Sequence, residues 1–221
     1  MSKILGFVKG SMKKFSSIPS LFMTKSEVRF ISGFSHINIG VTDVSEAVSY
    51  YTSLLGCRPI RIFENFRNEG FAKSAGFLTN PEEVAVSIAF VEIPNAGVTL
   101  ELMQYHTPKT KNMLRKPDVN DVGGVRHIAL KVDNISKAFK HVSQHENTSF
   151  INLSKKYKPF KIDNISRSDF RFFDEKTDAN WKEKEKVCDI VGKIKYFYFF
   201  DKYGVQWEFE QGHHDLGSKL H

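Results

Sequence analysis

His36-Ile-Asn-Ile-Gly-Val-Thr-Asp-Val-Ser-Glu-Ala-Val48 and His127-Ile-Ala-Leu-Lys-Val-Asp-Asn-Ile-Ser-Lys-Ala-Phe139 align without a gap, 91 positions apart. His, Ile, a third apolar residue, Val, Ser and Ala recur in register, so the chain carries a duplicated unit with the period of a whole module, not of a solenoid. Each copy opens with period-two alternation. Ile37, Ile39 and Val41 fall on one strand face and His36, Asn38 and Gly40 on the other. Ile128, Leu130 and Val132 likewise oppose His127, Ala129 and Lys131. The apolar face is the one that packs on helices, which leaves each histidine on the opposite face.

Working outward, Asp43 or Ser45 and Asn134 or Ser136 are N-cap candidates. Each precedes apolar positions at helical spacing: Ala47, Val48, Tyr51 and Leu54, then Ala138, Phe139 and Val142. Gly56 suits the stop of the first helix. Strands are expected at about 58–64, 84–93 and 97–105, with Pro94-Asn95-Ala96-Gly97 as a hairpin turn. Lys195 to Phe200 and Val205 to Gln211 flank a second turn, Asp201-Lys202-Tyr203-Gly204. The pattern is βαβββ, twice, an α+β fold of paired modules.

The organisation this predicts is a basic tail over 1–32, a first module over 33–120, a second over 121–214, and a short tail over 215–221. The second module is interrupted at about 154–186 by a segment rich in both charges and in Tyr157, Phe160, Phe170, Phe172, Phe173 and Trp181. That insertion is either a lid or an ordinary surface excursion. Residues 178–191 read as a helix with Trp181, Cys188 and Val191 on one side, ended by Gly192.

With 221 residues, 41% hydrophobic and 26% charged, the chain can bury a core, which excludes disordered and fibrous classes. It lacks the roughly 20 consecutive apolar residues of a spanning helix, so no integral membrane segment is expected. Two cysteines, Cys57 and Cys188, cannot build a disulfide framework or a thiolate zinc site, which favours the cytoplasm. Much of the net charge of +7 lies in residues 1–26, with five lysines and no acid, and the remaining basic stretches are interrupted by acids. Nucleic-acid binding therefore has no motif behind it. The basic segment itself reads as a loose tail, a membrane-surface helix or a mitochondrial presequence.

Chemistry concentrates at four positions. Leu100-Glu101-Leu102 and Trp207-Glu208-Phe209 each set one carboxylate in an apolar frame, on the strand face opposite the core. A carboxylate so placed is costly to desolvate unless paired, hydrogen-bonded or metal-bound. Each module thus offers one His and one Glu: His36 with Glu101, His127 with Glu208. Two imidazoles and two carboxylates suit one divalent ion, Zn, Ni, Co, Mn or Fe(II), better than Cu(I). His106, His141 and His145 have no counterpart in the repeat. His213 and His214 read as part of a solvated tail, and Glu210 as a strand-end carboxylate.

Residues 34–60, 98–105, 123–139 and 196–211 together resemble the vicinal oxygen chelate superfamily, which includes glyoxalase I, methylmalonyl-CoA epimerase, extradiol dioxygenases and antibiotic-resistance proteins. The resemblance implies a cupped mixed sheet around a divalent metal, with His36, Glu101, His127 and Glu208 at the ligand positions. Glutathione-linked glyoxalase I has an Arg and an Asn where Gly40 and Tyr105 stand here. Residues 100–116 and 123–135 look more like methylmalonyl-CoA epimerase and its relatives. Three functions follow from the resemblance. A proton-transferring isomerase, epimerase or lyase would use Glu208, or else Glu101, as base. A ring-cleaving Fe(II) dioxygenase would use His36, His127 and Glu208 as its triad. The third is a small-molecule binding or resistance protein without turnover. The implied partner is a small oxygen-rich substrate, and a homodimer is compatible with the family.

Overall fold

The alternation in the repeat forms an edge strand in each half. In the computed structural model, residues 32–109, 122 and 124–212 are described. The basic tail, His213, His214 and residues 215–221 lie outside the described residues. The first module runs β1 (Ile37–Gly40), α1 (Val44–Leu55), β2 (Arg58–Phe66), α2 (Glu69–Ser74), a single 3-10 turn at Pro81–Glu83, β3 (Ala85–Ile93) and β4 (Val98–Thr107). The second runs β5 (Ile128–Lys131), α3 (Ile135–Gln144), β6 (Ser149–Phe150), β7 (Phe160–Lys161), α4 (Glu175–Ala179), α5 (Trp181–Val191), β8 (Lys195–Phe200) and β9 (Gln206–Gln211).

Each module is one mixed sheet, ordered β1-β4-β3-β2 and β5-β9-β8-β6, with β7 added on β8. In both, the opening strand runs parallel to the last: Asn38 lies opposite Glu101 and Ala129 opposite Glu208. The helix starts repeat as well. Asp43 accepts from Glu46 N–H and Asn134 from Lys137 N–H, which decides both caps. Gln104 within β4 and Gln211 at the end of β9 accept the Val44 and Ile135 N–H groups. Gly56 ends α1 at φ 71°, a left-handed conformation that a side chain would strain, and its N–H returns to Thr52 O.

The helix-side faces of the two sheets join in one core. Ile39, Leu100, Leu102 and Tyr51 from the first module pack in the same cluster as Val142, Phe197, Trp207 and Phe209 from the second. At its centre Asp201, fully buried, accepts from Tyr51 Oη at 2.7 Å, Trp207 Nε1 at 2.9 Å, and the N–H groups of Tyr203 and Val205. Burial pushes its carboxyl up, against the pull of those four hydrogen bonds. Both modules fall within one compact unit, Ser35–His221.

Two expectations are corrected. The helix read at 178–191 is two helices, because Asn180 adopts φ −85°, ψ 99° and its side chain caps Lys182 N–H, starting α5 afresh. Trp181 is 58% exposed, with the Arg167 guanidinium 5.9 Å from its ring, while Cys188 and Val191 further along the helix are half-buried, so the expected side is not uniformly covered. The structure also adds α2 and its 3-10 turn, which cover a second small core of Ala72, Val84, Val86 and Ile88. No helix among the described residues is long and apolar enough to cross a membrane.

Candidate metal centre

Strand alternation places the four singled-out residues on the sheet faces turned away from the shared core. His36 stands one residue before β1, and its Nε2 lies 3.2 Å from Glu101 Oε2. His127 stands one residue before β5, and its Nε2 lies 3.0 Å from Glu208 Oε2. Both carboxylate side chains are mostly buried, 13% and 12% exposed, while the imidazoles remain at 37% and 39%. The structure therefore joins each histidine to the glutamate of its own module. Among the described residues no three His, Cys, Asp or Glu side chains gather into a group able to hold a metal ion, so the four stand as two pairs.

The donor chemistry fits a divalent ion. Bonds of about 2.0–2.2 Å to nitrogen and oxygen put neighbouring donors at a right angle about 3 Å apart, which is the spacing within each pair. Ser35 Oγ lies 3.0 Å from His36 Nδ1 and can accept its proton, which would leave Nε2 as the ligand nitrogen.

Around this duplicated frame the two halves differ. Asn38 Nδ2 donates to Glu101 Oε2 at 2.8 Å. Its counterpart is Ala129, which offers Glu208 nothing. Instead Tyr198, opposite Glu208 on β8, hydrogen-bonds it; burial and that carboxylate push the phenol above its ordinary pKa. The residue opposite Glu101 is Phe90, whose ring packs edge-on to His36 at 6.1 Å, as Tyr198 does to His127 at 5.3 Å. Asn38 was visible in the alternation as a neighbour of His36. Tyr198 and Phe90 escaped the sequence reading, because only strand pairing shows that residues ten and eleven positions before the glutamates stand opposite them.

The unmatched histidines are structural. His106 Nε2 meets Ser87 Oγ at 2.8 Å, His141 Nε2 meets Leu54 O at 2.9 Å, and His145 Nε2 meets Ser53 Oγ at 2.7 Å. Both cysteines are free, Cys57 buried beside the end of α1. The insertion reaches β8 through β7, where Phe160 pairs with Tyr196, and through Tyr157, whose Oη donates to Tyr198 O at 3.3 Å and accepts from Tyr198 N at 2.8 Å.

A family model described as the glyoxalase/bleomycin resistance protein/dioxygenase superfamily matches residues 33–209. Methylmalonyl-CoA epimerase, mitochondrial, of Mus musculus is 28% identical over 126 residues, 57% of this chain and 60% of that protein. The match thus spans less than two thirds of that relative's length. A crystal structure of a glyoxalase family protein from Bacillus cereus superposes with TM-score 0.57 at 14% identity, over 84% of this chain and 97% of that one. That likeness establishes the fold: an α+β chain with two mixed sheets.

Proposed function

The chain belongs to the glyoxalase/bleomycin resistance protein/dioxygenase superfamily, and from that premise we propose that it is a divalent-metal-dependent enzyme that moves a proton next to a carbonyl of a small oxygen-rich substrate, as an isomerase, epimerase or lyase. The observation that carries this reading is the pair of His–Glu contacts at equivalent places of the two modules, 3.2 and 3.0 Å. The mouse relative, itself named an epimerase, supports the proton-transfer class.

His36, His127, Glu101 and Glu208 would hold the ion, one of Zn, Ni, Co, Mn or Fe(II). When bound, it would supply a Lewis acid that lowers the cost of negative charge on a substrate oxygen. The chain's own groups do the rest. Glu208 takes the carbon-bound proton onto Oε2, with the Tyr198 hydroxyl holding the carboxylate in place. Glu101, tethered by Asn38, stays fixed. The partly buried faces around both carboxylates limit water, which strengthens each contact made there.

The test is proton–deuterium exchange in D2O, followed by NMR, on a panel of acyl thioesters and α-hydroxyketones with each divalent ion. Exchange at the carbon beside the carbonyl is expected, with Glu208→Gln lowering it by about 10²- to 10⁴-fold. Metal-loaded protein that exchanges none of them, or a Glu208→Gln variant as active as the parent, overturns the reading.

One observation favours a second reading. The Asn38 bond occupies the Glu101 oxygen that faces His36, and with Glu101 so engaged the residues left to hold an ion would be His36, His127 and Glu208, the two-histidine, one-carboxylate composition of Fe(II) oxygenases. Oxygen uptake with catechols by iron-loaded protein tests that alternative. On either reading the partner is a small molecule and the setting the cytoplasm, or the mitochondrion if the basic tail directs import.

A further inference from the structure

The two sheets cover the strand beside their glutamates in different ways. In the first module Phe90, opposite Glu101, has Arg61 of β2 on its other side, within a strand of nine residues. In the second, the pairing along the outer side of β8 stops at Phe150 with Phe199 and resumes at Phe160 with Tyr196. Tyr198, opposite Glu208, falls in the interval. Its carbonyl accepts from Ile151 N–H at 3.4 Å and from Tyr157 Oη at 3.3 Å, and its N–H donates to Tyr157 Oη at 2.8 Å. A tyrosine hydroxyl therefore stands where the first module has a strand.

A strand residue sends both backbone groups to the same neighbour. Tyr198 and Glu208 thus exchange no ladder hydrogen bond and form the close kind of antiparallel pair, in which side chains approach most nearly. That brings the phenol onto the carboxylate, to which it is hydrogen-bonded. It also leaves the Tyr198 backbone to be held from the side of the insertion. There Asn152 Oδ1 accepts from Ser154 N–H at 2.8 Å, Ser154 Oγ from Lys156 N–H at 3.2 Å, and Ser154 O from Tyr157 N–H at 2.9 Å, winding a turn that returns Tyr157 to β8. The Tyr157 ring lies against Phe150 and Phe160, with centroids 5.5 and 6.0 Å away, so packing aims its hydroxyl.

Resting on the reading of Glu208 as the base, we propose that Tyr157 is a positioning residue for it. The turn at the start of the insertion fixes the Tyr198 backbone, and the Tyr198 phenol fixes Glu208. Removing the Tyr157 hydroxyl takes the acceptor from the Tyr198 N–H and lets β8 shift against β9. A displacement of about 1 Å between a base and the proton it takes is enough to slow a reaction about 10²-fold. Glu101 stands outside this chain of contacts, since Asn38 holds it and β2 covers its strand neighbour. The interruption of the second module therefore acts on one carboxylate and not on the other.

The test is a double-mutant cycle on the full chain with Tyr157→Phe and Tyr198→Phe, read in two ways. Tyr157→Phe keeps the ring in its packing and removes only the hydroxyl. In the D2O exchange assay, with a substrate that the parent exchanges, it is expected to lower kcat about tenfold or more with KM unchanged. In the Tyr198→Phe background the same change should cost about twofold or less, because the route to Glu208 is already cut. The second reading needs neither metal nor substrate. In carbon NMR of the metal-free chain, the Glu208 carboxyl signal, assigned with Glu208→Gln, should move in Tyr157→Phe while that of Glu101 stays. Adding Tyr157→Phe to Tyr198→Phe should then move neither. Equal losses in both backgrounds, or a Glu208 signal indifferent to Tyr157, overturn the inference, since a purely structural brace acts alike in both. Should Tyr157→Phe fail to fold, Phe160→Ala, at the half-exposed edge of the same packing, is read in its place. A parent chain that exchanges no substrate overturns the proton-transfer reading, and the carboxyl signal then judges the brace alone.

Discussion

The Tyr51 hydroxyl, on the helix of the first module, donates at 2.7 Å to Asp201 in the turn that closes the hairpin of the second. Trp207 Nε1 shares the same Oδ2 at 2.9 Å, while Oδ1 takes the Tyr203 and Val205 N–H groups. One carboxylate therefore ties the turn to itself and the modules to each other.

Removing that acceptor should be severe. Asp201→Ala leaves four donors without that partner, three of them buried, and is expected to cost about 3 kcal/mol or more, against about 1–2 kcal/mol for Tyr51→Phe, which removes one donor and leaves the carboxylate three. Urea unfolding of both variants checks this. Equal, small losses would show that the cluster does not join the halves.

Alkaline pH should loosen the fold. Burial pushes the Cys57 thiol up from 9.0 to about 12, and pushes the Tyr50, Tyr51 and Tyr203 hydroxyls above 10. The folded chain then holds these protons at pH values where the unfolded chain has released them. Stability is accordingly full below about pH 9, declines as pH rises past the unfolded values, and levels off only above the folded ones. The expected slope is about 1.4 kcal/mol per pH unit for each group titrating. Unfolding free energies between pH 8 and 11 read it directly; Cys57→Ala should delay the onset of the decline from near 9 to near 10. A flat profile contradicts the burial argument.

Metal content should separate the two carboxylates. In elemental analysis of protein prepared without oxygen or an affinity tag, His127→Ala is expected to lose most of the ion. Glu101→Gln distinguishes the reactions: a four-ligand proton-transfer enzyme loses activity or changes its preferred metal, whereas a triad oxygenase largely survives. Unchanged metal content in His127→Ala would mean that the site lies elsewhere.

Gly56→Ala should cost about 1 kcal/mol or more, because φ 71° at the end of α1 places a new Cβ in the left-handed region. A thermal melt indistinguishable from the parent would show that the cap rearranges freely.

Much of this architecture was legible because duplication writes each instruction twice. His36 with His127, Glu101 with Glu208 and Asp43 with Asn134 each stand at equivalent points, and alternation alone assigned their faces. Legibility failed where information is not local. Tyr198 meets Glu208 only through antiparallel register, and the break at Asn180 is decided by one side chain choosing to cap rather than continue a helix. Trp181, read on one helix side with Cys188 and Val191, meets a guanidinium at the surface. The second core under α2 depends on Phe66, Phe71 and Phe77 meeting across separate elements, which no periodicity announces.

Because Tyr51 and Trp207 are both fully buried in one cluster, neither half of the chain carries a complete interior of its own. The repeated halves are therefore bound to one another as two copies in a pair would be, with the joint carried inside a single chain, and the opposite sheet faces are left to differ, as Asn38 and Ala129 do.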